Sequence, residues 1–249
     1  MALRPSYANV TATARGRGAA GAYPPGTPCW VELASPAPDA SARFYGELLG
    51  WEAAAGGDTF TLEGDEVAGL ARGERAAWAT YVAATDRAAI RNRVEAAGGS
   101  TLTDTTFTDA EGAAFAVTTR GAERVNGPGA LTMNELRTGS LDAAAGFYGD
   151  VFGWTVKPIE QDGAIVYAGV QLDGRLVAGM LPMPDVPAHW APYFGVEGLD
   201  AAAAKAGELG GRVVAGPVPV PQGRFVALLD PHGAAFALLE GNYDPPPGG

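Results

Sequence analysis

Alternating apolar and polar residues predict that the chain's first regular element is a strand at 28–35. Val31 and Leu33 fall on one face of this strand, and Trp30 and Glu32 fall on the other. A strand followed by a helix and several further strands is then predicted repeatedly along the chain. This order indicates an α+β fold with mixed or antiparallel sheets.

The second predicted element is a helix that begins near Pro38 and ends at Gly50. Asp39 is placed to cap its free amide groups. Apolar residues at the spacing of a buried helix face follow, namely Ala42, Tyr45, Leu48 and Leu49. We expect Phe44 and Tyr45 to pack between helix and sheet rather than to contact a ligand.

This helix lies in a stretch that the chain repeats. Residues 43–51, ArgPheTyrGlyGluLeuLeuGlyTrp, return at 146–154 as GlyPheTyrGlyAspValPheGlyTrp, 103 positions later. GlyAlaAlaPheAla at 112–116 returns at 233–237, 121 positions later. Matches in the same order at growing offsets indicate a duplicated unit whose second copy has longer loops.

The duplication divides the chain into two domains, which we predict at 26–122 and 127–243. Two domains of about 110 residues each suit a chain of this length. Residues 1–25 are rich in Ala, Gly and Arg and are predicted to form a flexible N-terminal arm. Residues 244–249, which include three prolines, are predicted to form a disordered tail.

Composition narrows the partners and the compartment. A net charge of −11 and a pI near 4.6 argue against a nucleic-acid or anionic-membrane partner. No apolar run approaches the roughly 18 residues that a membrane span requires. The single cysteine, Cys29, excludes an internal disulfide and fits a cytoplasmic location. We expect Cys29 to lie opposite Trp30, on the helix side of its strand.

The repeated motifs resemble those of a known family. Each half has a strand, then AspAla, PheTyr and GlyTrp, and the second half closes with AspProHisGly at 230–233. With TrpValGluLeu at 30–33 and AsnGluLeu at 134–136, the chain is similar to two-domain actinobacterial glyoxalase-like (hydroxylase-like) members of the vicinal oxygen chelate superfamily. That superfamily includes glyoxalase I, extradiol dioxygenases and bleomycin-resistance proteins. The resemblance implies tandem glyoxalase/bleomycin-resistance-type domains, with four βαβββ modules forming curved mixed sheets.

The resemblance also implies where a metal would bind. Most activities of the superfamily depend on a divalent metal held by His and Glu side chains on the concave sheet face. Spacing from the repeated motifs places the ligand positions on Trp30, Met133, Thr80, Ala191, Ala116 and Ala237. None of these side chains suits such a cation, and the chain has only two histidines, His189 and His232. We therefore expect no metal centre of the family type and no other cofactor.

Polar residues on the concave face of the second half are candidates for catalysis. Strand alternation places Glu135 and Arg137 on the same face as Met133, and His189 and Tyr193 on a neighbouring wall. Burial would raise the pKa of Glu135 and make it a usable acid or base. Two alternatives remain open. Glu135 could simply pair with Arg137, and His189 could be a solvated residue of the Pro-rich loop at 182–192.

The first half is predicted to have a more apolar cavity. Glu32 is the equivalent of Glu135 and a further catalytic candidate, with Trp30 beside it. Trp78 and Thr80 are predicted to line the same wall. Such a cavity would suit the stacking of a flat ligand.

Three functions fit these features. The first is a cofactor-independent isomerase, lyase or cyclase that moves protons on a small aromatic or polyketide-like metabolite, for example in secondary metabolism. The second is a binding protein that sequesters a toxic metabolite, as bleomycin-resistance relatives do. The third is an atypical metal-dependent lyase or dioxygenase that uses Glu32 or Glu135 with His189. In each case the partner is a small molecule, and the protein is a monomer or a homodimer.

Overall fold

The computed structural model describes residues 23–220 and 223–241, which form two eight-stranded sheets and four helices. The predicted tail and residues 1–22 of the predicted arm lie outside the described residues. Residues 23–25 of that arm are described, and the Tyr23 hydroxyl donates a hydrogen bond to the Ala122 carbonyl at 2.9 Å. This end of the predicted arm is therefore packed against the first domain.

In chain order, the elements of the first half are β1 (Pro28–Ser35), α1 (Pro38–Leu49), β2 (Glu52–Ala53), β3 (Thr59–Leu62), β4 (Asp65–Arg72), β5 (Ala77–Ala83), α2 (Arg87–Ala96), β6 (Ser100–Thr101), β7 (Thr106–Thr108) and β8 (Ala114–Thr118). Those of the second half are β9 (Leu131–Thr138), α3 (Leu141–Phe152), β10 (Thr155–Gln161), β11 (Ala164–Leu172), β12 (Arg175–Pro182), β13 (His189–Gly195), α4 (Leu199–Glu208), β14 (Arg212–Val220), β15 (Gly223–Leu229) and β16 (Ala235–Gly241).

The two sheets have the same topology. The first has the strand order β2-β3-β4-β1-β5-β8-β7-β6, and the second has β10-β11-β12-β9-β13-β16-β15-β14. In the first, the central strand β1 runs antiparallel to β5 and parallel to β4. In the second, β9 pairs with β13 and β12 in the same way. The predicted α+β fold and tandem duplication are confirmed.

Helix boundaries follow from local chemistry, with one correction. Helices α1 and α3 each end at a glycine with φ of 77°, Gly50 and Gly153, a backbone conformation that glycine adopts without strain. Ser140 caps α3 by accepting from the Ala143 amide. The predicted cap by Asp39 is wrong, because Pro38 already occupies the first helical turn and Asp39 lies inside the helix.

Two features of the second half differ from the sequence-based expectation. Strand β13 begins at His189, so this histidine starts a strand of the sheet instead of lying in the Pro-rich loop. Strand β10 was not predicted, because its residues, 155–161, are mostly exposed and lack a buried apolar face.

The two domains share their hydrophobic cores. Helix α1 and the helix-facing side of β1 pack with residues of α4 and the closing strands of the second half. Helix α2 and β5 pack in the same way with α3 and β9. The helix-bearing faces of the two sheets therefore face one another. Each sheet has an opposite face as well. We call this face of the first sheet, which carries Glu32, the first cup, and this face of the second sheet, which carries Glu135, the second cup.

Two buried tyrosine–aspartate hydrogen bonds join the halves. The Tyr45 hydroxyl donates to Asp230 at 3.2 Å and accepts from the Trp78 indole at 3.0 Å. The Tyr148 hydroxyl donates to Asp109 at 3.1 Å, and the Trp190 indole donates to it at 3.0 Å. Each aspartate also accepts from two backbone amides of its own turn. The repeated PheTyr element thus packs helix to sheet as predicted, and it also links one domain to the other.

Repeated tryptophans complete this arrangement. The Trp51 indole donates to the Gly129 carbonyl at 2.6 Å, and the Trp154 indole donates to the Gly26 carbonyl at 2.7 Å. Each acceptor lies just before the first strand of the other half. The repeated residues of the sequence are therefore largely those that bond across the domain interface.

We expect Tyr148→Phe to lower the free energy of unfolding by about 1–3 kcal/mol, because it leaves a buried carboxylate and a buried indole each short of one partner. Tyr45→Phe should have a similar effect. Urea denaturation monitored by tryptophan fluorescence measures both. Thr61→Val removes an exposed side-chain bond and serves as the control, with a change within about 0.5 kcal/mol. Tyrosine variants that match this control would show that the bridges do not hold the halves together.

Candidate functional site

The second cup brings together the residues that strand alternation predicts for it. In the antiparallel pair β9 and β13, Arg137 lies opposite His189, Glu135 opposite Ala191, and Met133 opposite Tyr193. Residues directly opposite one another in a sheet project to the same face. The predicted grouping of Glu135, Arg137, His189 and Tyr193 is therefore present in the structure.

Glu135 is the most unusual ionisable group of this cup. Its side chain is only 3% exposed, and burial raises its pKa above the ordinary value, although Arg137 and Tyr193 act in the opposite direction. Glu135 Oε1 and Arg137 Nε are 3.6 Å apart, which is longer than a hydrogen bond. By distance and angle, neither of these atoms nor the Tyr193 hydroxyl makes a hydrogen bond within the described part of the chain. Arg137 nevertheless forms an ion pair with Glu135 at this distance, and Tyr193 lies close enough to affect the pKa of Glu135. The carboxyl is thus buried beside a cation and a phenol, without a close hydrogen bond to either.

His189 has a narrower role than the sequence suggests. Its Nδ1 lies 2.8 Å from the Pro187 carbonyl, and its Nε2 lies 3.4 Å from Arg137 Nη1. The carbonyl can only accept and the guanidinium can only donate, so Nδ1 carries the proton and Nε2 accepts. Burial lowers the pKa of His189, which keeps the ring neutral. His189 therefore orients Arg137 and has no free nitrogen for proton transfer.

Two further side chains, Tyr167 and Met133, lie in the second cup. The Tyr167 hydroxyl donates to Met133 Sδ at 3.6 Å. The Tyr167 ring lies over Gly179, which pairs with Glu135 in the sheet and has no side chain to obstruct the ring. Met133 packs with Tyr193, Phe225 and Leu239 in an apolar cluster. Met133 and Tyr167 thus lie on the same cup as Glu135.

The carboxylate of the first cup is in a different state. Glu32 Oε1 accepts a hydrogen bond from the Tyr81 hydroxyl at 3.0 Å. Burial raises the pKa of Tyr81, and the Glu32 carboxylate adds to this effect. Glu32 itself is only partly buried. Tyr81 is the equivalent of Tyr193, since each lies opposite the first cup-facing residue of its central strand.

The predicted placement of Trp78 and Thr80 in the first cup is wrong. Both residues face the shared cores, where Trp78 donates to Tyr45 and the Thr80 hydroxyl donates to Asn134 of the second domain at 2.8 Å. The cup-facing residues of this strand are instead Ala79 and Tyr81. This strand repeats at an offset of 112 residues, as Trp78 and Trp190 show. The prediction matched His189 with Trp78, an offset of 111, and an error of one position places each residue on the opposite face of the sheet.

Trp30 lies in the first cup as predicted, but its ring already contacts a side chain of the protein, Arg120. The Arg120 guanidinium stands 4.4 Å from the centre of the Trp30 ring, within the range of a cation–π contact. Arg120 is also ion-paired with Glu66 at 2.6 Å and donates to Thr59. The first cup is thus filled by groups of the protein itself.

The sequence-based placement of Cys29 also needs correction. Cys29 packs with Trp30, Ala83 and Ala122, away from the helices. The register of β1 against β5 shifts between Pro28 and Trp30, so alternation fails at this point. Burial raises the pKa of the Cys29 thiol to about 12. It is a small buried residue, as expected, and a poor nucleophile.

The residues present do not fit a metal centre of the family type. In the part of the chain that the structure describes, no three His, Cys, Asp or Glu side chains are close enough to hold a metal ion. In the second cup the permanent cation of Arg137 contacts both Glu135 and His189, and it would repel a divalent metal. In the first half, the ligand position predicted at Thr80 falls on the cup-facing residue Ala79 instead, and alanine offers no donor atom to a metal.

Three contributors to the cups were missed by the sequence reasoning. Tyr81 could have been found, because Trp78 and Tyr81 recur 112 positions later as Trp190 and Tyr193. Tyr167 and Arg120 carry no repeat signal. Tyr167 reaches the second cup from strand β11, and Arg120 reaches the first cup from the segment that follows strand β8.

Among the helices of the described residues, none has the length and apolar character of a membrane span.

Comparison with known proteins places this geometry in a family. Residues 130–238 match the model described as the Glyoxalase/Bleomycin resistance protein/Dioxygenase superfamily. The Mycobacterium tuberculosis protein named "Putative glyoxylase CFP32" is 36% identical, across 88% of this chain and 96% of the relative. The anthracycline biosynthesis protein DnrV of Streptomyces peucetius is 35% identical, across 88% of this chain and 94% of the relative.

Solved structures support the fold. The Mn(II)-bound glyoxalase from Novosphingobium aromaticivorans has a TM-score of 0.63 at 20% sequence identity, and the alignment covers 87% of this chain and 82% of that one. The 2,3-dioxygenase LapB from Pseudomonas sp. KL28 has a TM-score of 0.57 at 14% identity, with 89% and 93% covered. By its sequence relatives and its duplicated fold, the chain belongs to the glyoxalase/bleomycin resistance/dioxygenase (vicinal oxygen chelate) superfamily.

Proposed function

We propose that the protein is an enzyme of secondary metabolism that moves protons on a small aromatic or polyketide-like metabolite, using the second cup and no metal of the family type. The observation that carries the proposal is the buried Glu135 carboxyl, whose pKa is raised by burial and whose Oε1 has no partner in the described part of the chain. Perturbed carboxyls in apolar cavities are typical of acid–base sites. The similarity to DnrV supports the choice of metabolite class.

Each side chain of the second cup has a defined part in such a reaction. The Glu135 carboxylate removes the proton of a hydroxyl group of the substrate. The Tyr193 hydroxyl and the Arg137 guanidinium donate hydrogen bonds to the oxygen on which negative charge develops. Protonated Glu135 then returns the proton to another atom of the same substrate, so that an isomerisation or a ring closure leaves the enzyme unchanged. His189 acts as a positioning residue for Arg137.

A second function is favoured by the apolar lining of the cup. Tyr193 and Met133 pack with Phe225 and Leu239, and such a lining also suits a protein that sequesters its ligand. The two functions differ in what is recovered after incubation. Sequestration returns the ligand chemically unchanged, whereas catalysis yields a product that mass spectrometry and NMR identify.

We expect Glu135→Gln to lower kcat/KM by at least about 100-fold, because general acid–base catalysis contributes about 10² to 10⁴ in rate. The assay follows substrate and product by liquid chromatography after incubation with candidate aromatic metabolites. Glu32→Gln is the matched control, since Glu32 lies at the equivalent place in the first cup, and it should keep most of the activity. Turnover that survives Glu135→Gln would exclude Glu135 as the acid or base.

The raised pKa of Glu135 also predicts a pH dependence of stability. The carboxyl ionises at a higher pH in the folded protein than in the unfolded chain, so folding stability falls as pH rises through the interval between the two values. The Glu135→Gln variant has no carboxyl at this site and escapes this loss. We therefore expect its free energy of unfolding, relative to that of the wild type, to increase with pH over this interval.

Urea denaturation between about pH 4 and pH 8 tests this pH dependence, because that range spans the ordinary glutamate value and a raised one. The Glu32→Gln variant measured in the same series shows whether an effect belongs to the second cup. A difference between Glu135→Gln and wild type that stays constant over the whole range would contradict the proposed state of Glu135.

A further inference from the structure

Three buried polar atoms in the second cup have no hydrogen-bond partner among the described residues. They are Glu135 Oε1, Arg137 Nε and the Tyr193 hydroxyl. The three residues are 3%, 9% and 1% exposed, respectively. Buried polar groups in folded proteins are almost always paired. Three unpaired groups in one place therefore require an explanation. One explanation is that their partner is a ligand that the protein binds.

The three atoms together define the chemistry of that partner. Arg137 Nε and the Tyr193 hydroxyl each offer a proton, and the Glu135 carboxylate offers a lone pair. A single hydroxyl group has one proton to donate and two lone pairs to accept with. We propose that the second cup is a socket for one hydroxyl group of its ligand, which donates to Glu135 and accepts from Arg137 and Tyr193. This assignment rests on the proposed function and narrows its substrate class to hydroxylated aromatic compounds.

Other oxygen groups fit less well. A ketone or ether oxygen accepts from the two donors but leaves the Glu135 carboxylate without a donor. A phenol satisfies all three atoms, and it still does so if its proton passes to Glu135, because a phenolate facing a protonated carboxyl makes the same three hydrogen bonds. The Arg137 guanidinium, 3.6 Å from the carboxylate, stabilises the negative charge on either oxygen.

The surroundings of the socket suit an aromatic ring. Tyr193 packs with Met133, Phe225, Leu239, Val220 and Ala237. The Tyr193 and Phe225 rings have centroids 5.4 Å apart. Apart from the hydroxyl of Tyr193 itself, these side chains offer no polar hydrogen to a ligand. A flat apolar body with one hydroxyl matches this lining better than a sugar or an amino acid does.

Met133 lies beside the socket. It packs with Tyr193, accepts a hydrogen bond from Tyr167 and lines a cleft of about 40 Å³ between the domains. Methionine is flexible and fills irregular gaps. The empty space beside it allows the side chain to move when a ring enters the cup.

The first cup provides an internal control, because its equivalent polar atoms are already paired. Tyr81 donates to Glu32, and Ala34 stands where the second cup has Arg137. The cation that the first cup does contain, Arg120, lies over Trp30. A hydroxyl group gains no equivalent set of three bonds there.

Thermal denaturation of the full chain with three naphthalene probes tests the proposal. The probes are 2-naphthol, 2-methoxynaphthalene and 2-acetylnaphthalene, which share one ring system and differ in the oxygen group. A ligand that binds only the folded state raises the melting temperature, and at one ligand concentration a tighter ligand raises it more. We expect 2-naphthol to bind at least about tenfold more tightly than either analogue, since a lost hydrogen bond to a charged group costs about 1.5–3 kcal/mol.

Single-residue variants show which cup and which side chains cause the preference for 2-naphthol. Glu135→Gln should reduce the preference for 2-naphthol to less than about threefold, because an amide can donate to an ether or ketone oxygen as well as accept from a hydroxyl. Tyr193→Phe should weaken the binding of all three probes, because each probe oxygen accepts from Tyr193. Tyr81→Phe in the first cup should leave both binding and preference intact. The melting curve of each variant without probe shows that it folds. Isothermal titration with 2-naphthol gives the affinities independently of the melting temperature.

The outcomes separate this proposal from the proposed function. Equal stabilisation by all three probes, or stronger binding of the ketone, overturns the hydroxyl socket and leaves a small-molecule cup in place. A preference for 2-naphthol that survives Glu135→Gln also overturns it, as does probe binding that Tyr193→Phe leaves unchanged. Failure of all three probes to bind rejects the socket, and Glu135-dependent turnover of another metabolite would then show that the proposed function still holds.

Discussion

Two buried tyrosine–aspartate hydrogen bonds determine how the halves of this protein are arranged. Each joins a helix of one half to a turn of the other, through Tyr45 with Asp230 and Tyr148 with Asp109. Leaving such a buried group short of its partner costs about 1–3 kcal/mol per bond, a sizeable share of a domain's stability of about 5–15 kcal/mol. The halves therefore have one favourable arrangement. Their helices face inward, and their cups, with Glu32 and Glu135, face away from the shared cores.

Much of this fold could be predicted from the sequence, because the duplication repeats the residues that bond across the interface. Tyr45 and Trp51 return as Tyr148 and Trp154, and the boundaries of the first strand and of the helix ends follow from alternation and glycine. The pairing of α1 with the second half could not be predicted. Periodicity shows which face of a helix is buried, but it does not show against which element.

The sheet face of each candidate residue was predicted correctly in the second half, but not for Trp78 and Thr80 in the first, for a physical reason. Side chains alternate along a strand, so an error of one position moves every side chain to the other face. Glu135 and Tyr193 were placed directly by alternation on their own strands. Trp78 and Thr80 were placed by an offset between copies, and that offset changes wherever a loop is longer. Tyr167 lies in the hairpin of β10 and β11, and the matching strands of the first half, β2 and β3, are shorter.

The two cups show how one backbone geometry supports two states of the same carboxylate. In the first cup the cation is Arg120, which comes from outside the sheet and bonds to Glu66, while Glu32 is paired with Tyr81. In the second cup the cation, Arg137, belongs to the same strand as Glu135 and lies too far away for a hydrogen bond. A buried ion pair of this kind adds little to stability, and well-packed apolar residues often serve at least as well. Stability alone therefore gives no reason to keep Glu135 and Arg137 in an apolar cup, whereas a ligand that completes their hydrogen bonds does.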